Sequence, residues 1–463
     1  MRKCPNCGKS VDEITNVCPY CGAELPAPYD GLVDDEYEGE ETGEGVSMLP
    51  PGGAEELMAA LGVGKPGEEG TVQPEELTIL SGAALYLEDT VLDPGSLILG
   101  RGRIVAIIDG ALPDLQNGVQ FYDLSGMILS AGFIDVHMHG MMGIDTNKAT
   151  VEDFKRLSAE AAKHGTTALV PTTLACPPEE LRRVLQNLRD ANTQGTPGAR
   201  LLGVHMESNF ISTNFKGAQP PNSIFPPEDK RAWEITPIID EFADEVLIVT
   251  VAPEEPGTLE LIPWLVEHGI IASLGHSAAT YEQAIAGFDA GATHVTHLFN
   301  AMAPLHHRNP GLVGAALERD DVFVEMVSDG IHIHPAVMSV IISAKGSERV
   351  MPVSDSLEGA GLDEAEFYLG GQHVTQKAGI ARLDSGTIAG STTTMDKILR
   401  LLVERLNWDL GEALLMCSTT PADGLEMQTL GHITPGAFAD LVVLDENLQV
   451  RMTFVDGKVV YQA

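Results

Sequence analysis

Basic residues are scarce: the 463-residue chain has 28 Lys and Arg against 67 Asp and Glu, a formal charge of −39. That imbalance argues against a protein that holds nucleic acid by its phosphates or rests on an anionic membrane, because both would be repelled. An anionic small molecule is still allowed, since a local Arg or His overrides the mean field within a Debye length of about 8 Å. Long hydrophobic runs are missing too. No apolar stretch approaches the roughly 20 residues of a membrane helix, and Met1-Arg2-Lys3-Cys4 lacks the apolar core of a signal peptide. A cytoplasmic location is expected. Cysteine is rare and unevenly placed: of six, four lie near the N-terminus, and Cys176 and Cys417 stand far apart. This is no disulfide framework spread through a secreted fold.

The clustered cysteines form two matching turns, Cys4-Pro5-Asn6-Cys7-Gly8 and Cys18-Pro19-Tyr20-Cys21-Gly22. Each offers two thiolates, its glycine lets backbone amides face sulfur, and two such turns complete a tetrahedral shell. Residues 1–26 therefore resemble a zinc ribbon with one structural zinc on Cys4, Cys7, Cys18 and Cys21. A redox Cys-x-x-Cys pair is the alternative, but it is not expected twice without a βαβ pattern. A module this short needs metal or another staple to fold, and its partner is unknown. Residues 27–76 are acidic and rich in Gly and Pro. They cannot bury enough apolar surface to order themselves, so a mostly disordered linker is expected, with a short helical pattern over Ala54 to Val63.

Short β-rich runs between Leu77 and Leu129, and again over Ala439–Leu444 and Val450–Val460, predict a small antiparallel β domain. It is a sandwich built from both chain ends, residues 77–130 and 430–463, with an Asp456-Gly457 hairpin signal. Residues 131–429 alternate strand-like and amphipathic stretches. Eight strand-like runs, from Phe133–Val136 to Arg349–Val353, predict an α/β fold, a TIM (β/α)8 barrel inserted into the β domain. An open doubly wound sheet is the alternative.

Ionisable residues gather at the ends of these runs, where a barrel carries its active site. The stretch Gly132 to Gly140 ends in His137-Met138-His139, whose two rings share one face of a strand. Then come His205-Met206-Glu207, Gly275-His276-Ser277, Thr296-His297 and Ser354-Asp355-Ser356. Five strand ends bearing imidazole or carboxylate suit a one- or two-metal hydrolytic site.

Gly132 to Gly140, Gly165-Thr166-Thr167, Gly275-His276-Ser277 and Pro435-Gly436 with Ala439-Asp440-Leu441 are similar to the amidohydrolase superfamily. Val251-Ala252-Pro253-Glu254, Thr296 to Met302, His306 to Leu312, Asp329-Gly330-Ile331-His332 and Ile388 to Ser391 more closely resemble the N-acetylglucosamine-6-phosphate deacetylase family. The likeness runs from about Leu77 to the C-terminus. It implies metal-dependent hydrolysis of N-acetylglucosamine-6-phosphate to glucosamine-6-phosphate and acetate, with one or two divalent ions, zinc or iron. By resemblance, Glu207, His276 and His297 hold the principal ion and His137 and His139 a second, while Asp355, also at the metal, is general base and acid. Asn300, Ala301, Arg308 and His332 would bind the substrate phosphate, with Arg308 reaching a neighbouring subunit's site in a homodimer.

Two departures stand out. The family's Gly-Pro-Phe after the ligand Glu is Ser208-Asn209-Phe210 here, and its Lys-Gly-Ala-His is Lys216-Gly217-Ala218-Gln219. Gln219 would meet the acetyl carbonyl only as a neutral donor. The alternatives are therefore an amidohydrolase acting on another N-acetylated sugar phosphate or a different amide, or a non-catalytic metal-binding sensor or scaffold. His294 is expected to pack between barrel and helix, and Cys176 and Cys417 to be buried.

Overall fold

Strands buried on both faces need apolar residues at nearly every position, and the middle of the chain supplies them. In the computed structural model, which describes residues 76–115 and 118–463 with the short strands Arg2–Lys3, Ser10–Val11 and Met48–Leu49, they form a barrel. Its strands are β1 (Phe133–Met138), β2 (Thr166–Thr173), β3 (Val204–Glu207), β4 (Val246–Val251), β5 (Ile271–Leu274), β6 (His294–Val295), β7 (Phe323–Val327) and β8 (Val350–Val353). Neighbours pair in parallel from β1 to β8. The ring closes through loop residues: Asp355 N donates to His137 O at 2.9 Å, and His139 N to Ser356 O at 2.8 Å.

Helices follow the strands, α1 (Val151–Ala162), α2 (Pro178–Gln194), α3 (Ala232–Glu241), α4 (Thr258–Glu267), α5 (Tyr281–Asp289), α6 (Gly311–Glu318) and α7 (Pro335–Lys345). Capping boxes start α1 at Thr150 and Asp153, and α5 at Thr280 and Gln283. Outward residues such as Phe133, Leu169 and Val249 pack with the helices, while Ile134, Val136, Val170, Ile248, Val327 and Val353 fill the interior with Ala422 and Leu425.

Strand β1 departs from simple alternation. Its register against β2 runs from Asp135↔Leu169 to Met138↔Pro171, three residues against two. The extra residue lets Val136 and His137 both face the barrel interior, so the bulge re-aims the histidine.

The chain ends meet beside the barrel. Leu441–Leu444 pairs antiparallel with Ile128–Ala131, and the sheet continues on one side to Lys458–Gln462, on the other through Leu77–Tyr86 to Arg103–Asp109. The sheet is mixed rather than antiparallel throughout, because Leu77–Tyr86 is long enough to pair in parallel with Gln120–Asp123 at one end and Ile128–Ala131 at the other. Separate apolar clusters pack around Leu80, Leu97 and Phe454 and around Ile79, Ile98 and Ile108. Asp456 and Gly457 both have positive φ, 50° and 68°, as a two-residue hairpin turn requires. Arg200 joins barrel to β domain: its Nε lies 2.6 Å from Asp440 Oδ2, a second arm meets Asp456, and its guanidinium covers the Phe438 ring.

A four-stranded antiparallel sheet over Ala365–Leu369, Gln372–Lys377, Ile380–Leu383 and Ile388–Gly390 follows β8. The sequence reading did not anticipate it. Its Phe367, Leu369 and Val374 pack on Leu174 and Leu357, and Gln372 Nε2 donates to Ala218 O at 2.7 Å. Met48–Leu49 pairs in parallel with Ile107 and Ile108, so the predicted linker contributes an edge strand. Apart from Glu76, the rest of that linker, the Ala54–Val63 pattern, and Cys4, Cys7, Cys18 and Cys21 lie outside the described residues.

Candidate active site

Three of the strand ends hand their side chains to the mouth of the barrel by a sharp turn, while His137 and Glu207 lie within β1 and β3. His276, His297 and Asp355 have φ of 47°, 30° and 46°, a left-handed conformation for which His and Asp are enriched among non-glycine residues. Such turns cost about 1–3 kcal/mol each and persist where the surroundings enforce them. Here the enforcement is visible: His297 N donates to Glu325 Oε2 at 3.2 Å, and Ser391 N donates to Asp355 O at 2.9 Å.

The side chains converge in two groups. Glu207 Oε1 lies 2.7 Å from His276 Nε2 and 2.8 Å from His297 Nε2, and the two nitrogens are 3.0 Å apart. Beside them, His137 Nε2 and His139 Nε2 are 3.3 Å apart and stand 3.6 and 3.4 Å from Asp355 Oδ1. Glu207 joins the groups, with Oε2 at 3.3 Å from His139 Nε2. In each group the donor atoms lie within 4.8 Å of one another.

These residues fit a metal. His139 Nδ1 faces Thr172 O at 3.2 Å, His276 Nδ1 faces Phe215 O at 2.7 Å, and His137 Nδ1 faces Glu325 Oε2 at 2.7 Å. Those acceptors hold a proton on Nδ1, so that each Nε2, on losing its own proton, has a lone pair free for a cation. A tetrahedral ion with bonds of about 2.0–2.2 Å sets its ligands roughly 3.3–3.6 Å apart; His137, His139 and Asp355 stand at that spacing, and Glu207, His276 and His297 stand closer, at 2.7 to 3.0 Å.

The electrostatics agree. Burial disfavours charge on His137 and His139, yet Glu325 pushes His137 up to about 9, and Asp355 with Glu207 pushes His139 up to about 10. Against the same burial, His139 and His137 bring Asp355 down to about 2, and His276 with its neighbours holds the Glu207 carboxyl well below the usual range. Acid groups this strongly drawn toward cation are where a divalent ion displaces protons.

The loop after β3 supplies the second departure from the family pattern. Gln219 is buried, its Nε2 donates to Glu207 Oε2, and its Oε1 accepts from Ala175 N at 2.8 Å. Gly217 holds φ of 55°, and a Cβ there would stand 3.3 Å from His276 Cε1 and 3.9 Å from Ala301 Cβ, so loop, imidazole and Ala301 are neighbours. Ser208 and Asn209 serve the backbone: Ser208 Oγ donates to Thr250 O at 2.5 Å, and Asn209 Nδ2 donates to Cys176 O and Ser223 O at 2.9 and 2.7 Å.

Further out, Asn300 Nδ2 donates to His297 O at 3.3 Å, which places Asn300 and Ala301 on the turn beside the histidine. His332 Nδ1 lies 2.7 Å from Asp329 Oδ2; burial opposes its charge, but Asp329 raises its pKa. Arg308 is not brought to the cluster. It sits on an exposed loop with its Nη1 2.8 Å from His307 Nε2.

His205, read as part of a strand-end group, lies beneath the site. Its Nε2 faces Thr250 Oγ1 at 2.7 Å and its Nδ1 faces Val136 O at 3.3 Å, and burial pushes its pKa down to about 3. His294 is buried, stacks on Phe323 and is pushed down to about 4 by burial. Cys176 and Cys417 are free and buried. The sequence reading missed Glu325, whose signal is a lone carboxylate in the otherwise apolar run Phe323-Val324-Glu325-Met326-Val327.

Residues 128–460 match the model of the amidohydrolase family. The chain belongs to that family. Residues 1–25 match a zinc-ribbon domain. This amidohydrolase is 32% identical over 381 residues to N-acetylgalactosamine-6-phosphate deacetylase of Escherichia coli O157:H7, covering 82% of this chain and 98% of the relative. It is 36% identical over 407 residues to N-acetylglucosamine-6-phosphate deacetylase of Mus musculus, covering 83% and 94%. Among solved structures, a mutant of N-acetyl-D-glucosamine-6-phosphate deacetylase from Mycobacterium smegmatis, in complex with N-acetyl-D-glucosamine-6-phosphate, superposes with a TM-score of 0.78. Identity to it is 34%, over 84% of this amidohydrolase and all of that chain. Among the described residues, no helix is long and apolar enough to cross a membrane.

Proposed function

We propose that the chain is a metal-dependent deacetylase of N-acetylglucosamine-6-phosphate, releasing acetate and glucosamine-6-phosphate. The observation that carries this reading is the meeting of Glu207, His276 and His297 beside Asp355 at one barrel mouth. Glu207, His276 and His297 would hold the principal divalent ion, zinc or iron, and His137, His139 and Asp355 a second. When bound, the ion supplies polarisation of the acetyl carbonyl and a lowered pKa for water at the site.

The chain's own residues do the rest. Asp355, held ionised by the imidazoles around it, takes a proton from the attacking water. As the carbon–nitrogen bond breaks, it returns that proton to the departing amine, giving acetate and the free amino sugar. Gln219, fixed between Glu207 and Ala175 N, keeps the carboxylate aimed at the site and would meet the acetyl carbonyl as a neutral donor. Asn300, the Ala301 backbone and His332 would meet the phosphate. Arg308, exposed on its own chain, suits a phosphate in a partner's site across a homodimer, its fork donating paired hydrogen bonds. Cys4, Cys7, Cys18 and Cys21 would hold one structural zinc.

A second reading, action on N-acetylgalactosamine-6-phosphate, is supported by the Escherichia coli relative and by Gln219 standing where the related pattern has histidine. Acetate release should be measured from both sugar phosphates and from N-acetylglucosamine, with Asp355→Asn as control. Turnover confined to the glucosamine phosphate is expected. No turnover of any of the three by metal-replete protein rejects the proposal, and preference for the galactosamine phosphate moves it to the second reading.

A further inference from the structure

Glu325 sits on β7 with no exposure to solvent, among apolar strand residues. A buried carboxylate is retained only where partners compensate it, and an apolar side chain would serve the core better. Its partners are specific. Oε2 lies 2.7 Å from His137 Nδ1 and accepts from His297 N at 3.2 Å, while its own carbonyl accepts from Leu298 N at 2.8 Å. One carboxylate oxygen thus touches a ring from the first strand and the backbone of a ligand candidate after the sixth.

Its other oxygen, Oε1, has no hydrogen-bond partner among the described residues. His205 Nδ1 is 3.7 Å away, and both nitrogens of that ring are already engaged by Val136 O and Thr250 Oγ1. Ligand atoms of His137, His205 and Glu325 lie within 4.8 Å of one another, but with both His205 nitrogens engaged this set is less suited to an ion than the two at the barrel mouth. Glu325 is well placed to hold a ring.

We propose that Glu325 is a positioning residue that creates the second metal position. By accepting the Nδ1 hydrogen of His137 it fixes the ring and its tautomer, so that Nε2 presents its lone pair beside His139 and Asp355. The β1 bulge turns the His137 side chain inward, and Glu325 sets its angle once there. The principal ion depends on Glu325 less: the carboxylate braces the His297 turn through His297 N alone, and its hydrogen bond to a ring is the one to His137. The inference rests on the reading of His137, His139 and Asp355 as a second ion site.

The test counts zinc by atomic emission in full-length protein reconstituted and desalted, comparing wild type with His137→Ala, Glu325→Leu and Glu325→Gln. His137→Ala should lose one equivalent. Glu325→Leu should lose the same single equivalent, or bind it 10- to 100-fold more weakly, while keeping the others and a native near-ultraviolet dichroism spectrum. Glu325→Gln, whose amide oxygen still accepts from Nδ1, should recover most of it. If Glu325→Leu retains the wild-type count and affinity, or loses every barrel ion, or if Gln falls as far as Leu, the positioning role is overturned. If His137→Ala loses nothing, the two-ion reading falls first and the role falls with it.

Discussion

Gln219 and Glu207 are joined by a hydrogen bond in which the glutamine amide donates to Oε2, the carboxylate oxygen turned toward His139. The same side chain accepts from Ala175 N, so Gln219 is anchored at both ends. Gln219→Ala removes a donor from Glu207 and strands a buried amide at Ala175. We expect a loss of about 1–3 kcal/mol in stability and a 10- to 100-fold fall in metal affinity or kcat/KM. Thermal melts and metal titration check it; a variant that binds metal as wild type does would show that Glu207 is oriented by other means.

Asp355 and the His137–His139 pair should separate by severity. Asp355→Asn keeps a side chain suited to φ of 46° but cannot move the proton, and kcat should drop by about 10²- to 10⁴-fold. Loss of either histidine should lower activity less than that. Steady-state kinetics on the three variants, with metal content measured alongside, decides the order.

The eight barrel strands were legible because short apolar runs repeat between amphipathic stretches, five of them ending in His, Glu or Asp. The same pattern offered His137, His139, His205, Glu207, His276, His297 and Asp355 as candidates, and the resemblance to the family divided them into roles. Other features left weaker marks. Helix α3 carries an internal Pro237 and α6 begins at Gly311, so neither reads as a strong helix. The sheet over residues 365–390 has short strands, such as Ala365–Leu369 with exposed Glu366 and Tyr368, that look like loop when βα units are sought. The β1 bulge and the burial of Glu325 depend on contacts with β2 and with His137, which no local pattern encodes.

His432 offers a pH-dependence remote from the metal. Its Nδ1 lies 2.6 Å from Glu88 and its Nε2 3.3 Å from Asp423. Burial disfavours the cation, but the Asp423 and Glu88 carboxylates win and push it up to about 9. The folded state therefore binds this proton more tightly than the unfolded chain, whose histidine titrates near 6.5. The stabilisation is complete below about pH 6.5 and fades as pH rises toward 9. Melting temperatures of wild type and His432→Asn should differ most at pH 6 and converge above pH 9; a constant gap would refute the linkage.

The hydrogen bonds that close the barrel are made by the chain segments that bear its chemistry. Ser354 Oγ reaches His137 O at 3.5 Å across 217 residues of sequence, Asp355 N meets the same carbonyl, and His139 N meets Ser356 O. Folding is slow when distant segments must meet, and here the clasp that completes the ring is also the act that delivers the acid to the imidazoles. A half-assembled barrel is then chemically mute. During refolding, acetate release should return after helical dichroism has recovered, so that activity dates the final closure rather than the growth of secondary structure.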